Sequence, residues 1–422
     1  MPCAILVLIL FVTQAEAAAQ TIPQGFDQRG FIEASLTGFP QTTSSDSSQA
    51  IGQAILQWDL SSRAFSWLKL FGGIEAQTDT HHETERALHL DFQDRGLLRP
   101  AFEIRTARVT MHKGHFTADI GKQLVRWGKA DLLNPTDRFA PRDYLDVVNS
   151  EVLGVVAARA TVEEGGNSLD LVWTPWLTPS RIPLLNQRWA ELPPGFSGSV
   201  EPGSIENAAT NFPGGGQYGA RLDHIGHRYE ASVSFFEGYN HLPLIGVAFD
   251  LLEPALSVQR FYPKIRMYGT DAAIPLHWFT IKTEAGYFES RAGASAAPQS
   301  DDYILYVAQV ERQMGDWMFV GGYVGQTIFT KRSQIDFDPE RGLAEAFVLR
   351  VAYTIDARQS VSVEDATRQN AQGTLTHAEY SRLIGSHWRM TLGGILIEGA
   401  SSDFLGQYRR NSSVILKIRY SF

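Results

Sequence analysis

From Gly30 to Phe422 the chain repeats one pattern: about ten residues in which apolar and polar positions alternate, closed by clusters of Gly, Asn, Asp or Ser. A period of two is that of a β-strand with different surroundings on its two faces. Tyr229, Ala231, Val233 and Phe235 alternate with Glu230, Ser232 and Ser234, and Val414, Leu416, Ile418, Tyr420 and Phe422 with Ile415, Lys417, Arg419 and Ser421. Phe279, Ile281 and Tyr287 set against Thr280, Lys282 and Glu284 give a third case. The pattern predicts eighteen strands, sixteen being the alternative count, from residues 30–38 to 412–422, the fifth over 116–127. Connections after odd-numbered strands are generally long and those after even-numbered strands short, an asymmetry of antiparallel membrane barrels with periplasmic ends. The expected fold is thus all-β: one transmembrane antiparallel barrel spanning 30–422 with long extracellular loops. A soluble sandwich would divide such a chain into compact domains.

Composition narrows the class. The 422 residues are 44% hydrophobic and 11% aromatic with mean hydropathy −0.15, and after residue 20 no apolar run is long enough for a helical span. A net charge of −9 argues against a nucleic-acid partner. Ala4 to Val12 is apolar and Ala15-Glu16-Ala17-Ala18-Ala19 follows, so residues 1–19 are expected to be a secretory signal cleaved after Ala17 or Ala19, and 20–29 a periplasmic lead-in. Cys3, the single cysteine, lies in that signal, so neither a disulfide nor a thiolate metal site is expected. The address implied is the outer membrane of a Gram-negative cell, with membrane lipid and lipopolysaccharide as surroundings. The terminal Phe422 resembles the C-terminal aromatic by which the barrel-assembly machinery recognises its clients.

The least repetitive stretch is Gly121-Lys-Gln-Leu-Val-Arg-Trp-Gly128, followed by Lys129, Asp131, Asn134-Pro135-Thr136-Asp137, Arg138 and Pro141-Arg142-Asp143-Tyr144. It resembles a motif of uncharacterised porin-like outer-membrane barrels related to the alginate-export and domain-of-unknown-function families, over about thirty residues. The resemblance implies a barrel with an inwardly folded loop and no particular substrate. Residues 128–152 form the third external loop, and opposed charges on a loop in the lumen are a means of building a selective constriction. Arg126, Lys129, Arg138 and Arg142 are the expected cations, Asp131, Asp137, Asp143 and Asp146 the expected anions, and Trp127, Asn134, Pro135, Pro141 and Tyr144 the residues that shape the loop. The same charges could instead pair with each other and with the wall to hold the loop. Wall cations expected to face the lumen are Arg105 or Arg108, Arg126, Arg221, Lys282, Arg350 and Arg389. Alternation slips near Gly121, where a bulge or an interfacial Lys122 is expected.

His81-His82-Glu83 and His224-x-x-His227 resemble ligand sets, but neither has zincin spacing, and most histidines fall in predicted short turns. No nucleophile elbow or phosphate-binding glycine loop is present. The expected function is a passive channel for a small hydrophilic or charged solute, without metal or cofactor. The alternatives are an exporter or docking barrel, and an enzyme, which would need a Ser-His or Asp-His pair in the external half.

Overall fold

The computed structural model describes residues 25–88, 91–190, 205–208, 210–250, 255–291, 298–332 and 335–422; the expected signal at 1–19 lies outside them. Eighteen antiparallel strands form the wall: β1 (Phe26–Gly38), β2 (Ala50–Phe65), β3 (Leu68–Asp79), β4 (Phe102–Lys113), β5 (Phe116–Gln123), β6 (Val155–Glu164), β7 (Asn167–Thr174), β8 (Gln217–Ile225), β9 (Glu230–Tyr239), β10 (Lys264–Pro275), β11 (Thr280–Arg291), β12 (Asp302–Met314), β13 (Trp317–Thr330), β14 (Ala346–Asp356), β15 (Gln359–Arg368), β16 (Gly373–Ile384), β17 (Trp388–Gly399) and β18 (Ser413–Ser421). Each pairs with its sequence neighbours, and β1 pairs with β18 from Phe31↔Ser421 to Gly38↔Val414, so the sheet closes with no free edge. Closure is what allows a sheet to sit in hydrocarbon, because every wall amide then has a partner. Phe422 completes the seam, its N–H and C=O both bonded to Gly30 at 3.0 Å.

All eighteen expected strands are present, with shifts at several element ends. The first begins at Phe26, taking residues 26–29 from the expected lead-in, and β5 stops at Gln123, four residues short of Trp127. The short turns share one rim. Gly165-Gly166 is typical, with φ of +56° and +80°, values that glycine tolerates and that match the twist of a two-residue hairpin. The opposite rim carries the long connections, with one exception at 369–372.

The outward face is apolar, with Leu36, Val233, Leu349, Leu396, Val414 and Leu416 exposed. Near the long-loop rim an aromatic ladder runs across β8 to β13 through Tyr218, Phe235, Tyr268, Tyr287 and Phe329, with successive ring centres 5.5–6.4 Å apart. Trp317–Tyr353 and Trp388–Tyr420 form contacts near the other rim. Two aromatic levels bounding an apolar band are the mark of a membrane barrel. Val233→Arg is therefore expected to cost about 2 to 4 kcal/mol, read as lost heat-resistant barrel on a gel; wild-type resistance would refute the outward placement. The alternation alone predicts a far milder Ser232→Arg, and the structure corrects this. Ser232 is buried and donates to Asp271 at 2.5 Å, so an arginine there would break up a packed network.

A candidate channel constriction inside the barrel

The chain leaves the wall at Gln123 because of the residue two positions earlier. Gly121 has φ +124°, and a Cβ there would strike the Ala107 carbonyl. Register with β4 and β6 continues without an inserted residue. The slip in alternation is thus a left-handed glycine and neither a bulge nor an interfacial lysine. It turns Lys122 inward, where its ammonium is fully buried between Asp94 (2.5 Å) and Glu103 (3.2 Å).

Residues 124–154 then enter the lumen, and one wall carboxylate holds their first half. Glu284 of β11 accepts hydrogen bonds from the backbone N–H groups of Lys129 (3.0 Å), Ala130 (3.2 Å) and Thr136 (2.9 Å), from Thr136 Oγ1 (2.8 Å) and from Asn134 Nδ2 (3.4 Å). Gly128, at φ +99°, lies so close that an added Cβ would meet this carboxylate at 2.5 Å. Sequence reasoning missed Glu284, whose place in β11 reads as one more polar residue facing water. Lys129 reaches Glu230 (2.8 Å), the first residue of β9, and Asp131 reaches Lys282 (2.7 Å) near the start of β11. The loop therefore descends to the short-turn half of the barrel.

Apolar packing completes the attachment. Val125, Trp127, Ala130 and Phe139 lie with Val155, Val172, Phe236, Met267, Phe288, Leu305 and Val324 in one buried cluster, so the long-loop half of the lumen face between β6 and β13 carries a packed apolar core. A water-filled porin would have polar side chains there. Trp127 donates to Asp170 at 2.9 Å and meets Phe139 edge-on.

The second half of the loop is held by ions. Asp143 is fully buried between Arg99 (3.0 Å) and Arg181 (3.2 Å); Arg99 continues to Glu83 (2.8 Å), and Arg181 to Asp94 (3.5 Å) and Glu103 (3.8 Å). With Lys122 this network ties the loops at 80–101 and 175–190 to the third. Burial pushes the Glu83 carboxyl up to about 7, against the pull of Arg99, and the Asp94 carboxyl up to about 6, with Glu103 adding to the rise.

The expected site residues lie along this loop, but the expectation that Arg126, Arg138 and Arg142 meet Asp131, Asp137 and Asp143 holds for one pair. Arg126 does meet Asp137, at 2.5 Å. Arg138 does not face the pore: it is buried on Glu340 at 2.6 Å, its charge held by that partner. Asp131 and Asp143 pair with wall and loop cations instead of Arg138 and Arg142. Arg142 keeps a bond to Ser150 (3.3 Å), and Asp146 caps the N–H groups of Val148 and Asn149. Among the shaping residues, Asn134 donates to Ala130 O at 2.6 Å, Pro135 sits over Gly286, the Pro141 carbonyl accepts from Leu153 N, and Tyr144 packs on Phe337. The wall cations are mostly neutralised: Arg105 by Glu75, Arg221 by Asp223 and Asp271, Lys282 by Asp131 and Glu311, and Arg350 weakly by Glu364 at 4.0 Å.

Residues 142–154 form a partition between two cavities of about 140 and 300 Å³. The first lies against β1 to β4 and β18 and is strongly polar, with Glu33, Glu75, Arg105, Asp146, Glu151 and Lys417 among its lining. The second, against β15 to β17, places Arg126 and Arg142 opposite Leu375, Ile397 and Phe404.

Eighteen antiparallel strands closed into one barrel match solved barrels. Acinetobacter baumannii OccAB3 aligns over 94% of this chain and 99% of its own at TM-score 0.56 and 9% identity, and A. baumannii OccAB4 over the same shares at 0.55 and 8%. A BenF-like porin of Pseudomonas fluorescens Pf-5 aligns over 95% and 99% at 0.54 and 8%. The chain has the fold of an outer-membrane porin barrel. No protein-family profile matches it, and no curated sequence does.

Both kinds of pair that an enzyme would need occur in the outer loops, Asp46 with His81 and Ser180 with His241. Ser180 Oγ and His241 Nδ1 share a hydrogen bond of 2.8 Å. Its setting is structural. Both residues are buried, Ser180 Oγ also accepts from Arg142 N at 2.8 Å, and neither lines the two large cavities. Burial, with the Arg138 and Arg142 charges nearby, drives the His241 imidazole down to about 3, so it is neutral and weakly basic at physiological pH. His81 is paired with Asp46 at 3.0 Å and His224 bonds Asn167 at 2.9 Å; among the described residues no three metal-ligating side chains converge.

Proposed function

We propose that the chain is an outer-membrane channel for passive passage of small hydrophilic or charged solutes, narrowed by residues 124–154, and that it catalyses no reaction. The observation that carries this reading is the partition: a loop fixed to the wall by Glu284 and by the Asp143 network, with open space on both of its faces. A purely structural barrel would have no need to keep polar-lined space beside its plug. The narrower kinship with alginate-export barrels gains no support from the motif, because Trp127, Asn134 and Asp137 spend their polar groups on the protein itself. The Ser180–His241 pair lacks both a reachable nucleophile and a base of suitable strength, which favours a lock between loops over catalysis.

The test is planar-bilayer conductance of the full-length protein. Deleting Asn134 to Arg142 is expected to raise single-channel conductance severalfold, because the narrowest region dominates the series resistance. As a second arm, Arg126 and Arg142 changed together to Ser are expected to move the reversal potential toward cations in dilute salt. The shift should fade at 1 M, where the screening length is about 3 Å. Unchanged conductance in a deletion variant that still assembles would place the narrowest point elsewhere and overturn the reading.

A further inference from the structure

At the long-loop rim, directly above the aromatic ladder, β9 to β11 turn charged side chains toward the outside of the barrel. Tyr268 and Tyr287 are exposed and paired in register, whereas Met267 and Phe288 are buried in the lumen cluster. Alternation from those points sets Lys264 and Arg266 of β10 and Glu289 and Arg291 of β11 on the outward face, and Glu237 of β9, in register with Arg266 and Tyr218, beside them. Arg266 is only two residues above Tyr268, roughly 7 Å along the strand. Charged groups on this face gain nothing from acyl chains, so their place at the boundary calls for a polar partner there.

We propose that this patch binds the phosphate groups of a phosphorylated outer-leaflet glycolipid, its acyl chains lying on the Tyr268–Tyr287 shelf. Charge complementarity is the first ground. Three cations face two carboxylates: Glu237 takes Arg266 (2.6 Å) and Lys264 (3.0 Å), and Glu289 takes Arg291 (2.9 Å), which leaves one positive charge in excess. The second ground is register. Lys264 stands directly opposite Arg291 across the β10–β11 pair, a like-charge placement that destabilises a sheet unless an anion lies between the two. Lys264, Arg266 and Arg291 are each about one third exposed, so their remaining N–H groups are open to a ligand. The third ground is level. A phosphate on the glycolipid's sugar lies just above the acyl chains, at the height where aromatic belts end. Guanidinium groups suit phosphate because they donate two parallel hydrogen bonds.

The inference rests on the reading of this chain as a membrane barrel with its long loops outward. Binding in detergent does not depend on orientation, whereas accessibility of the rim to labels on intact cells does, so the two can fail separately. Full-length protein would be titrated with bis-phosphorylated lipid A and with its dephosphorylated form, complexes being counted by native mass spectrometry. Wild type is expected to prefer the phosphorylated form. Lys264→Gln, Arg266→Gln and Arg291→Gln together should weaken that binding by roughly tenfold or more and leave the dephosphorylated lipid unaffected. If the triple variant does not assemble, Arg291→Gln decides, since it leaves the Glu237 pairs intact and should cost severalfold. Equal binding of the two lipid forms, or equal binding by variants and wild type, would overturn the proposal. Displacement of lipid A by equimolar phosphatidylglycerol would overturn its commitment to a glycolipid.

Discussion

Glu284→Ala is expected to release the inward loop while leaving the barrel standing. The carboxylate gathers five donors from residues 129–136, and hydrogen bonds to a charged acceptor contribute about 1.5 to 3 kcal/mol each before non-additivity is considered. A loss on the order of 3 kcal/mol or more should fall on the loop alone, since the β10–β11 and β11–β12 ladders are bonded through the backbone. Three readouts follow. Conductance and its noise should rise, trypsin should cut after Lys129 or Arg138, and heat-modifiable migration of the barrel should stay as in wild type. Glu284→Gln, which keeps one carbonyl acceptor, should fall between. A protease-resistant Ala variant with ordinary conductance would show that the apolar cluster alone suffices to hold the loop.

The second large effect is expected from Lys122→Ala. Its ammonium lies between Asp94 and Glu103, and removing it leaves two buried carboxylates with Arg181 at 3.5 and 3.8 Å as their remaining cation. Stripping one partner from a buried ion cluster costs about 3 to 5 kcal/mol. The deficit should depend on pH in a definite direction. Burial, then the neighbouring Glu103, raises the Asp94 carboxyl to about 6, and loss of the lysine raises it further. A carboxyl whose folded value exceeds its unfolded one binds more protons when folded, so stability is recovered as pH falls through the folded value. Melting measured at pH 8 and at pH 5 should show a large gap between variant and wild type at the first and a small one at the second. Asp94→Asn in the same chain should restore part of the loss at pH 8. An equal deficit at both values would mean that Lys122 acts through packing of its stem and not through its charge.

The wall could be read from the sequence because its signal is local: alternation within ten residues and a turn at each end. Val233, Leu416 and the terminal strand lie on the faces that the alternation predicts. The interior was legible only in outline. Residues 121–144 stood out, and the slip at Gly121 marked the place where the chain leaves the sheet, although its cause was a left-handed glycine. What the sequence does not display is pairing at a distance. Glu284 is about 150 positions from the amides it binds, Arg138 is 202 from Glu340, and Ser180 is 61 from His241. Each looks locally like an ordinary polar residue on a strand or loop. The apolar part of the lumen face was hidden for a related reason: Phe236, Met267, Phe288 and Leu305 blur the alternation of their strands without revealing what covers them.

The attachment of residues 124–139 to β9–β13 has a consequence for how the molecule comes to be folded. The loop emerges from the fifth strand, while its polar anchor lies on the eleventh and its apolar bed extends to the thirteenth. Whichever end of the chain enters the membrane first, the loop cannot dock until both sets of strands stand in one sheet. Contacts of such long sequence separation form late, after chain closure has been achieved. Until then an arrested intermediate exposes Phe236 and Phe288 to a wet interior and leaves the loop open to proteases. Acquisition of protease resistance at Lys129 is therefore a clock for completion of the sheet.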